Sequence, residues 1–393
     1  MKSKFNQTTL NALFKFFGLS SITRAELIFV GICITACIIM FYIPTGFEEA
    51  GIQNSLFTLP VKAEVAEVDN SGIHTIGLIR TGEQSLVIEV LNGELKGKRF
   101  DTVNHFLGKL DLDKFYSAGD IVFAVVQGES DSNMTQIQIV DRYRIEIEFI
   151  LTALFIFFLL IYAGWVGFKS LISFFFTALV IWKILLPGYL KFYPPILFSL
   201  SITTLLTGTI IFLIAGFTKK GWTAFLGAFA GVILTALLSI LFGKYFAIPG
   251  EIKPFSETLL YTGFIKLNLS DIFLSGIFLA SSGAVMDIAM DVSASMAEVK
   301  SQKPEIGFID LTSAGFSVGR AVIGTMTTTL LLAYSGGYST LLMVFIAQGV
   351  PMANILNIQY VSAEILHTVV GSFGLISVAP FTAIIGGIIF SRR

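Results

Sequence analysis

Eight mostly apolar runs, each of about the twenty residues that cross a bilayer as a helix, occupy residues 27–43, 149–168, 171–190, 194–217, 222–243, 271–290, 320–348 and 363–390. Such runs leave little choice of environment. In hydrocarbon a backbone must satisfy its own polar groups, which within single segments means helices. Composition agrees: 54% of the residues are hydrophobic and 13% charged, about half the charged share of an ordinary soluble domain. One globular core could not hide that apolar surface.

The first run follows Lys2, Lys4, Lys15 and Arg24, as a signal sequence would. Its apolar part is too long for one, however, and no small-x-small cleavage site follows, so it reads as a retained anchor. Lysines and arginines in short loops set the orientation. With the N-terminus inside, the cytoplasmic side holds Lys169, Lys219, Lys220, Lys300, Lys303, Arg392 and Arg393, against Lys191, Lys244, Lys253 and Lys266 opposite. An even number of crossings returns both termini to the cytoplasm. The expected order is a cytoplasmic segment 1–26, a first span 27–43, an extracytoplasmic domain 44–148 and a seven-helix membrane domain 149–393.

Residues 44–148 have a different rhythm. Apolar and polar residues alternate at 61–68, 75–79, 85–91, 119–127 and 135–140, the period of half-buried strands. Turn signals at Asp69-Asn70-Ser71-Gly72, Asn92-Gly93 and Gly119-Asp120 punctuate them. Five short strands suggest a small barrel of OB type. The expected fold class is therefore a membrane all-α bundle of about eight transmembrane helices with an inserted extracytoplasmic small β-barrel-like domain. Nucleic acid is not an expected partner, because the net charge is -1 and no aromatic-basic stripe is present to stack bases.

Within the apolar runs a few residues are costly where they stand. Asp287 and Asp291 are one helical turn apart with no Lys or Arg between them, so both carboxylates share a helix face. Each costs at least ~2.5 kcal/mol near hydrocarbon and must meet protein, water or a cation. The pair is the candidate proton- or cation-coupling site, and the alternative is a solvated helix end at the headgroup boundary. Arg320 opens the next span as their candidate counter-charge, or else snorkels to the interface. Thr325, Thr327 and Thr328 are candidate path-lining hydroxyls, although helical hydroxyls more often bond their own backbone.

Glu364 and His367 form a candidate polar site near the outer end of the last span. Glu-x-x-His is half of a di-metal motif, but with three His in the chain no metal or other cofactor is expected. Cys33 and Cys37 are four apart in an apolar run, one above the other on a helix and not in a disulfide framework. Gly227-x-x-x-Gly231 and Gly315-x-x-x-Gly319 allow close helix packing and make a homo- or hetero-oligomer an expectation. Gly315-Phe316-Ser317-Val318-Gly319 matches G-x-S-x-G in letters but leads into a span, not from a strand to a helix. No phosphate-binding loop is present. An enzyme is not expected, and the expected partners are the bilayer and a small solute or ion not identified by the sequence.

Three stretches, GAVMDIAMDVSASMAEV at 283–299, GRAVIGTMTTTLLLAY at 319–334 and AEILHTVVGSFGLISVAPFTAII at 363–385, together resemble the YibE/F-like family of bacterial multi-pass membrane proteins. The likeness runs over about residues 45–390. It departs from the family pattern at Ala321, where the family carries an acid after the arginine, near Thr328, where it has an asparagine, and beside His367, where it has a base. The resemblance implies a bacterial plasma membrane location and a transporter or permease role. A secondary transporter is thus the expectation, with an accessory protein whose outer β domain docks a partner as the alternative.

Overall fold

The structure is a computed structural model that describes residues 23–47, 57–128 and 134–391. Lys2, Lys4, Lys15, Arg392 and Arg393, used above for orientation, lie outside the described residues. The chain divides into two compact units, one of residues 46–158 and one of residues 1–45 with 159–393.

The first unit is a curled antiparallel sheet of β1 (Phe57–Asp69), β2 (Ile73–Ile76), β3 (Ile79–Val90), β4 (Arg99–Leu107), β5 (Ile121–Gly128) and β6 (Met134–Arg142). The order is β2-β3-β1-β5-β6, with β4 also paired to β3. The Thr102 hydroxyl of β4 donates to the Ile137 carbonyl of β6 at 2.7 Å, so the sheet curls back on itself. Alternate residues of the three central strands fill the core: Val61, Ala63 and Val65, then Leu86, Ile88 and Val90, then Val122, Ala124 and Val126. The period of two read from the sequence is the period of burial in β5.

Two details differ from expectation. The alternating stretch 75–79 is not one strand but a hairpin, with Gly77 at φ 63 between β2 and β3. Only glycine adopts that left-handed backbone without cost. Strand β4 went unread because its half-buried positions Phe100, Thr102 and Asn104 are partly polar. Asn104 faces Gln84 of β3, which is wholly buried.

In the second unit α1 (Arg24–Tyr42) starts at a capping box of Thr23 and Glu26. Helix α2 (Ile145–Val180) begins in the first unit, bends at Gly164 (φ 51, ψ -125), and runs on through a π turn, Ile181–Leu185, and a short helix, Leu186–Leu190. The bend is sharp. A Cβ on Gly167 would lie 2.6 Å from the Leu159 carbonyl oxygen, whereas residues eight apart in a straight helix are separated by about 12 Å. Then come α3 (Pro195–Ala215), α4 (Lys219–Phe246), α5 (Leu269–Gln302), α6 (Phe308–Ala347) and α7 (Gln359–Ser391). Among the described residues, these are seven helices long and apolar enough to cross a membrane. The count of eight treats the limbs of α2 on either side of Gly164 as two.

Helices α4, α5, α6 and α7 share one core, built on Val232, Phe278, Val285, Val292, Leu330 and Val378. Small residues bring the axes together. A Cβ on Gly227 would collide with Thr382 of α7, and one on Gly319 would meet Ala379 at 2.7 Å. Both glycine pairs expected to mediate oligomers are therefore used in packing within the chain.

Two lysines also take structural roles. Lys169 is buried, 3.6 Å from Glu26, and its ammonium donates to the Ile214 carbonyl at the end of α3. Lys183, on the π turn, donates to the Ile43 carbonyl at the end of α1. Lys169 is thus a packing residue and not a free loop base.

Candidate functional site

Helix α5 turns Val285, Val292 and Met296 toward the glycines of α4, α6 and α7. Asp287 and Asp291 stand on the opposite, exposed face, in a stripe with Ala280, Gly283, Ala294 and Glu298. The two carboxylates share a face, as their spacing requires. The hydroxyl of Ser293 donates to the Lys220 carbonyl in the first turn of α4. From that level Asp291 is two residues and Asp287 six residues inward, about 3 and 9 Å along the helix. Asp287 is the deeper group, and Asp291 lies near the level of a helix end.

Arg320 follows Gly319, which backs onto Val292 and Ala379, so it stands at about the level of Asp291. It is exposed, and among the described residues no ion pair joins it to either aspartate. Thr325, Thr327 and Thr328 donate to the carbonyls of Val322, Ile323 and Thr325 on their own helix. Their hydroxyls are engaged in the common backbone fashion, although Thr325 and Thr328 lie on the exposed face of α6.

The other end of this core holds a cluster that the sequence disclosed only in part. Glu364 and His367 are joined there by Tyr334 and Tyr338 of α6, Phe273 of α5 and Lys253 from the segment after α4. The His367 ring stacks on Tyr334, centroids 4.2 Å apart at 25°, with Phe273 at its edge. Both ring nitrogens are buried without a hydrogen-bond partner among the described residues. The Gly276 backbone lies beside the ring.

The Lys253 ammonium stands 5.3 Å from the Phe273 ring centre, 5.8 Å from that of Tyr338 and 3.4 Å from the Tyr338 hydroxyl. Glu364 is close enough for its charge to act on Lys253 and Tyr334. It makes no ion pair within 4 Å among the described residues. Glu364, Ser335, Tyr338 and Thr368 border a cavity of about 180 Å³ between α6 and α7.

Lys253, Tyr334 and Tyr338 were the residues sequence reasoning missed. The tyrosines are four apart and so share a face of α6, a signal that could have paired them with Glu364 and His367. The approach of Lys253 is tertiary and left no local trace. Among the described residues no three His, Cys, Asp or Glu converge on a common point. Ser317 lies inside α6 and donates to the Ser313 carbonyl, not on the strand-to-helix turn that an activated serine needs. Cys33 and Cys37 are free thiols on α1.

Comparison with known families gives two matches. The YibE/F-like protein model covers residues 151–392, and the YibE/F family N-terminal domain covers residues 62–142. No curated protein and no solved structure shows significant similarity to the chain. The two family models take in most of the curled sheet and the helical unit apart from α1, including each of the three motifs that carried the resemblance, and the chain belongs to the YibE/F-like family.

Proposed function

We propose that this protein is a secondary transporter or permease of a small solute in a bacterial plasma membrane, coupled to protons or cations through Asp287 and Asp291. One observation carries the reading: ionisable side chains without ion-pair partners occur at both ends of one apolar helical core. Asp287 and Asp291 lie toward one end, and Glu364 and His367 toward the other. Charged groups on apolar spans are costly and mark ion or substrate pathways. An isolated structural bundle gains nothing from them.

In this reading the chain crosses the membrane eight times, with the reversal at Gly164 separating the second and third crossings. Both termini are cytoplasmic, and the barrel-like sheet is outside. Arg320, level with Asp291, is the counter-charge that engages it in another state of the cycle.

The test compares intracellular metabolites and elements in cells lacking the protein, cells carrying it, and cells carrying Asp287→Asn with Asp291→Asn at equal expression. A solute that changes on deletion and returns with the wild type but not with the double variant is expected. Full restoration by the double variant would overturn the coupling role.

A second reading, an accessory protein whose β domain docks a partner, draws on a different feature. Ile76, Leu78 and Ile79 at the β2–β3 turn, Leu107 at the end of β4 and Leu110 just beyond it are exposed. Thr81 pairs with Leu107, so these residues form one apolar patch, the kind of surface that marks interaction sites. A stable partner lost on Leu78→Asp, with solute levels untouched by the aspartate variants, would favour it.

A further inference from the structure

Helices α5 and α6 carry on their outer faces residues for which a lipid-facing helix has no use. Helix α5 packs on α3, α4, α6 and α7, which leaves exposed a narrow stripe of small residues, Ala280, Gly283 and Ala294, interrupted by Asp287, Asp291 and Glu298. On α6 the face turned away from the core carries Ser313, Ser317, Arg320, Gly324, Thr325 and Thr328. A Cβ on Gly283 or Gly324 would meet nothing within 4 Å among the described residues, whereas Gly227, Gly315 and Gly319 are each covered by a neighbour. The outward face of α2 is the contrast, with Phe149, Leu151, Leu154, Phe157 and Phe158 exposed, as hydrocarbon accepts. Faces of small and hydroxyl-bearing residues are those by which membrane helices approach one another.

The two faces also match in depth. Gly315 backs onto Met296 and Gly319 onto Val292, so the helices run antiparallel and each step along one is a step back along the other, at the same rise per residue. Arg320, Gly324 and Thr328 therefore come at about the levels of Asp291, Asp287 and Gly283, and all of them are exposed. Two copies inserted alike in one bilayer are related by an axis along its normal, an operation that leaves depth unchanged, and a two-fold interface is self-complementary. Arg320 of the partner subunit thus arrives at the depth of Asp291, and Gly324 of the partner subunit leaves room opposite Asp287. Among the described residues neither aspartate nor Arg320 has an ion pair within its own chain, so the charges on these faces complement those of a second copy.

We propose that the outer faces of α5 and α6 form a two-fold interface between two copies of this chain, in which Arg320 of each copy pairs with Asp287 and Asp291 of the other. A second copy matches both the charge and the depth of the stripe. The amine of a lipid headgroup stays near the surface, whereas Asp287 lies about 9 Å inward of the level of Ser293. The inference deepens the functional reading above: it rests on the aspartates meeting Arg320 and names the copy from which the arginine comes.

The test measures the mass of the full-length protein in detergent by light scattering, for the wild type, for Arg320→Glu and for Asp287→Lys with Asp291→Lys. The wild type is expected as a dimer, and each charge-reversed form should associate at least about tenfold more weakly, because like charges then face each other. Mixed in equal amounts, the two reversed forms should recover a dimer of one copy of each, since every acid again faces a base. A second measurement, in membranes and on a Cys33→Ser, Cys37→Ser background, decides the matter if a reversed form misfolds. A copy with Asp291→Cys and a differently tagged copy with Arg320→Cys should cross-link to each other on mild oxidation.

A monomeric wild type, whether bare or carrying lipid or another protein, would overturn the interface. So would dimers that survive both reversals, or reversed forms that keep the wild-type melting temperature yet stay apart when mixed. A cross-link that forms within one chain carrying both cysteines and is absent between copies would give Arg320 to the aspartates of its own chain and overturn the exchange. A dimer that behaves as expected, with no solute difference in cells, leaves the interface standing and removes the transport reading. A monomer whose aspartates still govern a solute does the reverse.

Discussion

Gln84 is wholly buried and spends its whole hydrogen-bonding capacity. Its amide donates to the Asn70 side chain and the Tyr116 carbonyl, each at 2.8 Å. Its oxygen accepts from the Asn104 amide and the Tyr116 backbone N–H. Gln84→Leu strands these groups in the core and should cost about 1–3 kcal/mol, seen as faster amide exchange across β1, β3 and β5 in the full-length protein.

Asp141, on β6, has an acid-sensitive role. Partial burial works to raise it, but hydrogen bonds from Lys114, Arg144 and the Arg142 backbone N–H prevail and hold its carboxyl at about 2. A lowered folded value means that its stabilisation is complete above the ordinary carboxyl value and is lost as pH falls through the folded one. The β unit should therefore lose stability between about pH 4 and pH 2. Asp141→Asn should flatten that part of a melting-temperature profile. The same residues show why sites were half legible. Spacing revealed that Asp287 and Asp291 share a face and that Glu364 and His367 do likewise, because helical geometry is local. It could not reveal the Gln84 network, whose partners Asn70, Asn104 and Tyr116 are 14, 20 and 32 residues away.

Among the elements, close approach of α4 and α7 rests on the absence of side chains. Gly227→Val would force a branched side chain into Thr382 and should destabilise by about 1–3 kcal/mol or more. An exposed glycine such as Gly283, with no atom near a built Cβ, should accept alanine with little change in melting temperature. The buried tie between α1 and α2 makes a sharper test. Lys169→Ala removes the positive charge beside Glu26 and the donor to the Ile214 carbonyl and should cost about 1–3 kcal/mol. Adding Glu26→Gln should recover part of that loss, because the uncompensated charge is then gone. Thermal unfolding of the purified protein in detergent measures all four forms.

At the scale of the molecule, the eight-crossing topology makes its own prediction. A fluorescent protein that folds only in the cytoplasm should glow when fused after residue 391. A phosphatase active only outside should work when inserted near Gly93, a turn with φ 70. Activity of the phosphatase at the C-terminus would mean an odd number of crossings and would make α2 one continuous span.

The sequence by itself determined the environment of the chain, the segments that become long helices, the strand rhythm of residues 44–148 and the family. These follow from hydrophobic runs and short-range periodicities, which the backbone geometry of helix and strand reads directly. It also marked Asp287, Asp291, Glu364 and His367, because ionisable groups in apolar spans stand out by cost alone. Only the tertiary structure decided which face of α5 the aspartates occupy, and that the glycine pairs pack within the chain. It alone gathered Lys253, Tyr334 and Tyr338 around Glu364. Those outcomes depend on which helix lies beside which, and that is settled by packing a whole core at once and not by the spacing of residues along any one segment.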